Sequence, residues 1–571
     1  MQNNQKLIAI AIIFCYLSVA IASKPLIAQS PDWIARSNQF ADILEQGISS
    51  KDCYQKSTMS RSLVELDPVF KRCRRTSLHK AITTIEQQLE RAKNLDLRLD
   101  LEILLKYGKQ ELRSQLLAEK YRVPYLNISE AILDSFQSVL KESKFASQQQ
   151  AAILSKLQQY AGMGLDRTSL TQKLEKAIAA QLQQSEIALP NQQQLQNNLD
   201  KNAAQVYKIE AFLKQQQVAN YEEAYEQLKS QLFAHEKFLR HLQITRFKND
   251  YVLPTELYLE ELHRQGIEIP VAELIEQAHT AFIRVQQQMQ AIAPQIARKL
   301  KLDRSDYRNV IAALKRQSLS ADDTLHLYQS RAKQLEDIIR RENLVSLPQQ
   351  EFKIRLATAR EYQKFPVPLY DSESNTFVIP VLQNPQKAKL YNDFTNPAMS
   401  WTLTVHEGRP GHDLQFATIE NQNLSKARTD FAANATSIEG WATYAEEMMQ
   451  PYMPLEGKFM SLQFQLLRSA RAFLEPELHL GKITTADALK VLTQDAGFSQ
   501  FFAQQEIKRY ISRFPGQAPS YFYGYQQLKK LRSQVAQIQG KDFNLKKFHD
   551  LILSQGFISP QLLRQIIPTK I

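Results

Sequence analysis

Glycine is scarce in this chain and unevenly placed. It supplies 15 of 571 residues, about 2.6 % against roughly 7 % in ordinary proteins. Few positions can therefore adopt positive φ without cost, which argues against a turn-rich all-β fold. Only Gly47, Gly108, Gly162, Gly164 and Gly266 precede residue 408. The other ten fall in the last part of the chain, where something needs backbone freedom. The rest of the composition, 43 % hydrophobic and 23 % charged, is that of an ordinary globular protein, long enough for a large core or two coupled ones. It excludes disorder, collagen and a polytopic membrane protein.

Residues 1–22 read as a cleaved secretory signal. One cation, Lys6, precedes an apolar run over 7–22 that closes on Ala20-Ile21-Ala22, the small-x-small pattern of a signal-peptidase site. Cleavage leaves Ser23 as the new N-terminus and an exported protein, periplasmic or secreted, with no stable membrane span. The alternative is an uncleaved anchor, for which the run is slightly shorter than the roughly 20 residues needed. Cys15 is a poor lipidation site, because Phe14 stands where a small residue is wanted. The mature chain keeps Cys53 and Cys73, which could form one disulfide in an oxidising compartment. Without CxxC pairs or clustered thiols, a thiolate metal site or dithiol redox chemistry is not expected. Loss of Lys6 lowers the net charge from +12 to +11. The densest basic run, Lys71-Arg72-Cys73-Arg74-Arg75, reads as a solvated face. No aromatic ladder or nucleic-acid module accompanies it, so no nucleic-acid partner is expected.

From about residue 35 to 350 the chain reads as successive amphipathic helices, among them 81–107, 148–183, 203–242 and 270–300, rich in Gln, Leu, Ala, Glu and Lys. Breaks are expected at clusters such as Leu189-Pro190-Asn191. The texture changes at Phe365-Pro366-Val367-Pro368. The run 376–382 is the best strand candidate, placed at a sheet edge by Pro380, where it could pair with a substrate backbone. Helical pattern resumes near Met399. The expected fold is mainly α, a large multi-helix architecture with a small β element next to the active-site helix. A helical N-terminal half, 23–350, and a C-terminal half, 351–571, would form one coupled globular unit with a cleft between them.

The most informative stretch is His406-Glu407-Gly408-Arg409-Pro410-Gly411-His412. Two histidines around a glutamate point to a divalent metal with an adjacent base, as in HExxH, where the histidines lie about 40° apart on one helix face. Here they are six residues apart, about 120° on an ideal helix. Pro410 cannot donate to the carbonyl of His406, and Gly408 and Gly411 allow unusual torsions. A local break could therefore bring the rings together; a buried or surface histidine pair at an irregular helix is the plainer alternative. The segment Glu439-Gly440-Trp441-Ala442-Thr443-Tyr444-Ala445-Glu446-Glu447 offers a carboxylate on a following helix. That is how a two-histidine site gains its third ligand and keeps a fourth position for water. Glu439 is the first choice; Glu446 and Glu447 are fallbacks, better read as supporting or solvated groups.

At these residues the chain resembles the bacterial DUF885 family, many members of which are exported, with the patterns HExxPGHxxQ and EGWAxYAE. His406, Glu407, Pro410, Gly411, His412 and Gln415 match the first pattern; Glu439, Gly440, Trp441, Ala442, Tyr444, Ala445 and Glu446 match the second. Arg468, Arg471, Glu475, Glu477 and His479 resemble the family's RxxRxxxDxGxH segment. Glu475 stands where Asp is usual and Glu477 where Gly is usual. Arg509-Tyr510, Pro515-Gly516-Gln517-Ala518, Ser520-Tyr521 and Gly524 match an RY…PGQAxSYxxG block, with Pro519 where an aliphatic residue is common. The resemblance covers most of the C-terminal half and implies likeness to zinc carboxypeptidases of the HExxH-plus-Glu type.

The expected chemistry is an exported zinc peptidase, carboxypeptidase-like. His406, His412 and Glu439 hold one Zn²⁺, and Glu407 is the general base. Tyr521, or else His479, donates to the developing oxyanion. Arg509 or Arg532 could bind a substrate carboxylate, and Glu446 and Glu475 support the site. The substrate is a peptide or small amide. The rivals are a metal-dependent amidase on a non-peptide substrate and a non-catalytic exported binding protein that retains the fold.

Overall fold

In the computed structural model the described residues are 31–54, 63–142, 145–164, 167–245, 252–381 and 393–569. The expected signal segment, 1–22, lies outside them. The fold is mainly α with one three-stranded sheet. No helix among the described residues is long and apolar enough to cross a membrane. The described residues form two compact units: those of Phe40–Arg91 with Leu105–Leu257, and those of Ala92–Leu104 with 31–39 and 258–569.

The helices of the first unit pack around an apolar core that includes Phe136, Leu157, Tyr160, Ile209, Phe212 and Leu232. Phe136 stacks against Tyr160 at 6.0 Å and Phe212 at 6.2 Å; burying side chains of this size contributes about 1.5–3 kcal/mol each. Cys53 and Cys73 are joined, with Cα atoms 5.7 Å apart. Three of the long helices expected from periodicity are each split. The run 81–107 is divided between Pro68–Arg91 and Leu95–Tyr121, because Asn94 accepts the Leu97 N–H and starts a new helix. The run 148–183 becomes Ala146–Tyr160 and Leu170–Gln181. Gly162 sits at φ 80° between them, and Ser169 and Gln172 form a capping box. The run 203–242 becomes Gln192–Gln215 and Glu222–Thr245, parted by Gln217 and Asn220 at positive φ. Apolar spacing continues across each short turn, so periodicity alone does not reveal them. The break at Leu189-Pro190-Asn191 falls where expected, with Asn191 capping the next helix.

In the second unit, α1 (Val271–Lys299) packs along the helix Leu455–His479, and α2 (Ala321–Arg341) precedes the sheet. The sheet comprises β1 (Lys353–Leu356), β2 (Leu369–Asp371) and β3 (Thr376–Ile379). Then follow α3 (Met399–Glu407), α4 (His412–Glu420), α5 (Ala435–Met449), α6 (Leu455–His479), α7 (Gln500–Lys508) and α8 (Pro519–Gln539). The strand order is β1-β3-β2, with β3 parallel to β1 and antiparallel to β2. The expected edge strand is thus the central one. β3 ends at Ile379, so Pro380 falls beyond the paired residues and costs no ladder bond. Both edges of β3 are taken, which leaves it no backbone to offer a substrate. The sheet lies beside α4, with Tyr370 of β2 stacked 6.4 Å from the ring of His412 and 5.6 Å from Phe416.

Helix α5 packs closely against α8 where two glycines meet. A Cβ on Gly440 would lie 2.7 Å from Gly524 Cα, and one on Gly524 would lie 2.3 Å from Thr436 O. Only glycine permits that approach. Val405, Leu414, Trp441, Tyr444 and Leu528 share one buried cluster around it.

Candidate functional site

Between α3 and α4 the chain folds back on itself. The Gly408 N–H bonds to Thr404 O at 3.0 Å, and the Gly411 N–H reaches Val405 O at 2.9 Å. A Cβ at Gly411 would stand 2.1 Å from the His406 carbonyl oxygen, although its φ is −79°. Close approach, rather than left-handed backbone, is what demands glycine there. The Arg409–Pro410 peptide is cis. Trp441 Nε1 donates to Pro410 O at 2.9 Å, and buried Arg409 bonds to Asp413 and to Glu336 of α2, each at 2.7 Å. Residues that a continuous helix would point apart are thereby brought together. The His406 and His412 ring centroids lie 4.7 Å apart at 79°.

Glu439 enters from α5, whose first turn is fixed by a capping box between Asn434 and Ser437. Its Oε2 is 3.4 Å from His406 Nε2 and 3.3 Å from His412 Nε2, long for direct N–H···O bonds. The oxygen is buried and has no hydrogen-bond partner. Ligands about 2.05 Å from a tetrahedral zinc ion lie about 3.3 Å apart, so the spacing and the orphaned oxygen both fit a shared cation. One ligand atom from each of the three residues falls within 4.8 Å of the others.

The supporting groups are buried and ordered by charge. Glu446 Oε1 lies 2.6 Å from His406 Nδ1 and accepts from Arg468 Nη2 at 3.0 Å, the arrangement that fixes a ligating imidazole's orientation. Tyr521 donates its hydroxyl hydrogen to Glu439 Oε1 at 2.8 Å and accepts from Arg509 Nη2 at 2.9 Å. Burial alone would push the Glu439 carboxyl up, but His406 and His412 hold it well below the usual carboxylate range. Burial likewise opposes the charge on His406, yet Glu439 and Glu446 raise it to about 9. Burial raises the Tyr521 phenol.

The three residues open on a cavity of about 130 Å³. Glu407 lines it beside them, as do Arg468, Arg471, Arg509 and Glu506; Phe416, Phe464 and Phe502 supply apolar wall. Arg471 binds Glu506 in a bidentate pair at 2.6 and 2.8 Å. The pair of Arg471 and Arg509 outweighs burial and draws the Glu506 carboxyl down to about 2. Arg468, Arg471 and Arg509 place their guanidinium carbons 4.7, 4.5 and 5.2 Å from the Tyr521 ring centroid.

Other expected residues sit elsewhere and do not line the cavity. His479 bonds through Nε2 to Tyr510 O at 3.0 Å and stacks on Tyr258 at 4.2 Å; burial lowers it to about 4. Arg532 reaches the Tyr444 hydroxyl at 3.4 Å. Glu447 pairs with Tyr525 and with Lys529. Glu475 accepts from the backbone N–H groups of Gly516 and Ala518, and from Tyr258, in the turn that leads into α8. Nothing in the sequence pattern assigns a role to Arg468, Arg471 or Glu506. The spacing of the two arginines on one face of α6 was visible, but their partners come from distant segments.

The family model for "Bacterial protein of unknown function (DUF885)" matches residues 45–567. No protein of the curated set matches the chain. Two solved structures share the fold. A "putative lipoprotein of unknown function" from Shewanella oneidensis is 18% identical with a TM-score of 0.68, over 94% of this chain and 100% of its own. A "putative lipoprotein" from Colwellia psychrerythraea is 16% identical with a TM-score of 0.64, over 94% and 99%.

Proposed function

We propose that this chain, which belongs to the bacterial DUF885 family, is an exported metal-dependent hydrolase that cleaves peptide bonds. The carrying observation is the meeting of His406, His412 and the orphaned Glu439 oxygen beside Glu407 in one cavity. The lipoprotein descriptions of two similar folds, the apolar run over 7–22 and the Cys53–Cys73 bridge support export.

His406, His412 and Glu439 would hold the ion, zinc in the first instance. Its chemistry there is Lewis acidity, which polarises a carbonyl and makes water a nucleophile near neutral pH. The protein supplies the rest. Glu407 takes the proton from the attacking water and delivers it to the leaving amine. Glu446 orients the His406 ring through Nδ1, and Tyr521 orients Glu439. The phenylalanine wall excludes water, which strengthens every charge interaction inside.

Glu407→Gln is the deciding variant. Zinc measured by plasma emission should stay at the wild-type stoichiometry, while cleavage of a peptide library, followed by mass spectrometry, should fall at least about 100-fold. Unchanged cleavage would remove Glu407 as the base. A zinc-replete wild-type protein that retains no metal would remove the site.

A further inference from the structure

A second cavity, of about 470 Å³, opens where α1, α5, α6 and α8 converge, a size within the roughly 300–1,000 Å³ of ligand pockets. The residues that line it recur every three or four positions along each helix, so each helix offers it one face. They run from Ala281 to Ile292 on α1 and from Lys458 to Ser469 on α6, about 16 Å of each helix. Faces that converge in this way ordinarily bury apolar side chains. Here Val285, Leu462 and Phe522 alternate with amides and cations. Two of the cations are matched: Lys529 pairs with Glu447 at 2.9 Å and Arg468 with Glu446 at 3.0 Å. Among the described residues the side chains of Arg284 and Lys458 form no ion pair, and those of Gln288, Gln465 and Gln526 have no hydrogen-bond partner in the protein.

We propose that this groove binds an extended peptide segment that carries acidic side chains. An extended strand of about five residues spans its length. Side-chain amides both donate and accept, as a peptide backbone requires and a cation cannot do. Arg284 and Lys458 supply the charge for two carboxylates. Arg468 lines this groove and also the cavity of His406, His412 and Glu439, so the bound segment would lie beside the proposed hydrolytic centre. That position adds a substrate class to the hydrolase reading, while the binding itself does not depend on it.

The test is calorimetry at low ionic strength on chelator-treated protein, with N-acetyl-Glu-Ala-Glu-Ala-Glu-amide and its counterpart in which Gln replaces each Glu. Both peptides are blocked at the C-terminus. The acidic peptide should bind about tenfold tighter, the sum of two exposed ion pairs. Arg284→Gln and Lys458→Gln, both at exposed positions, should each reduce that preference and together abolish it, with the thermal midpoint unchanged. Equal affinities, no binding of either peptide, a preference that survives the double variant, or displacement by an equal concentration of inorganic phosphate would overturn the groove. Because the protein is metal-free, the outcome is independent of the one that Glu407→Gln gives for hydrolysis.

Discussion

The Tyr521 hydroxyl is committed twice, as acceptor from Arg509 and donor to Glu439. Tyr521→Phe keeps the ring against its three guanidinium neighbours and deletes only that link. Groups that orient ligands typically account for 10–100-fold in metal affinity. Competition with a fluorescent zinc chelator should therefore show a loss of about that size, and an unchanged affinity would mean that the hydroxyl does not hold Glu439. At this scale much was legible. His406, Glu407, His412 and Glu439 stand out in the sequence as the residue types that a metal site would need, and the structure brings them to one cavity. The Arg471–Glu506 pair was not legible, because its members are 35 residues apart and nothing in either neighbourhood specifies the other. His479 and Arg532 were misleading for the opposite reason: each is an ordinary buried or half-buried polar residue satisfied by a carbonyl or a phenol.

Helix α5 carries Glu439 to the histidines only because Gly440 and Gly524 let α5 and α8 touch. Gly440→Ala would press a methyl group against Gly524 Cα and force the helices apart. Overpacking of this kind costs about 1–3 kcal/mol. Gly164, whose added Cβ would meet nothing closer than 3.7 Å, is the control. Urea denaturation should show a lower midpoint for Gly440→Ala and little change for Gly164→Ala; equal shifts would mean that the contact is not tight. The sequence marks these glycines by their rarity but not by their mutual contact. The breaks near Asn94 and Asn220 escaped for a related reason: a turn of a few residues leaves apolar spacing intact on both sides. The sequence locates β3 along the chain but not within its sheet, because Pro380 follows the strand rather than interrupting it.

For the molecule as a whole, buried titratable groups set a pH profile of stability. His549 bonds to Leu344 O at 2.7 Å through Nδ1 and to the Tyr444 hydroxyl at 2.9 Å through Nε2. Burial lowers it, like His479, to about 4. Between pH 4 and the ordinary histidine value near 6.5 the unfolded chain binds more protons at these positions. Each therefore contributes stability that is present above about pH 6.5 and lost as pH falls, up to about 3 kcal/mol. Glu475 acts in the other sense: burial raises it to about 8 against its three donors, so its contribution declines as pH rises from about 4.5 to 8. With two histidines against one carboxyl, the urea midpoint of chelated protein should peak near pH 6.5. A midpoint that stays flat from pH 4.5 to 6.5 would refute the buried-neutral histidines. The break between α3 and α4 has a further thermodynamic meaning. The three candidate ligands lie on three separate helices, so an ion seated among them would add a tie to those that packing already makes between α3, α4 and α5. If the site takes a metal as proposed, free metal concentration would enter the folding equilibrium itself by mass action, and scarcity of the ion would loosen the same helices whose packing creates the place to bind it.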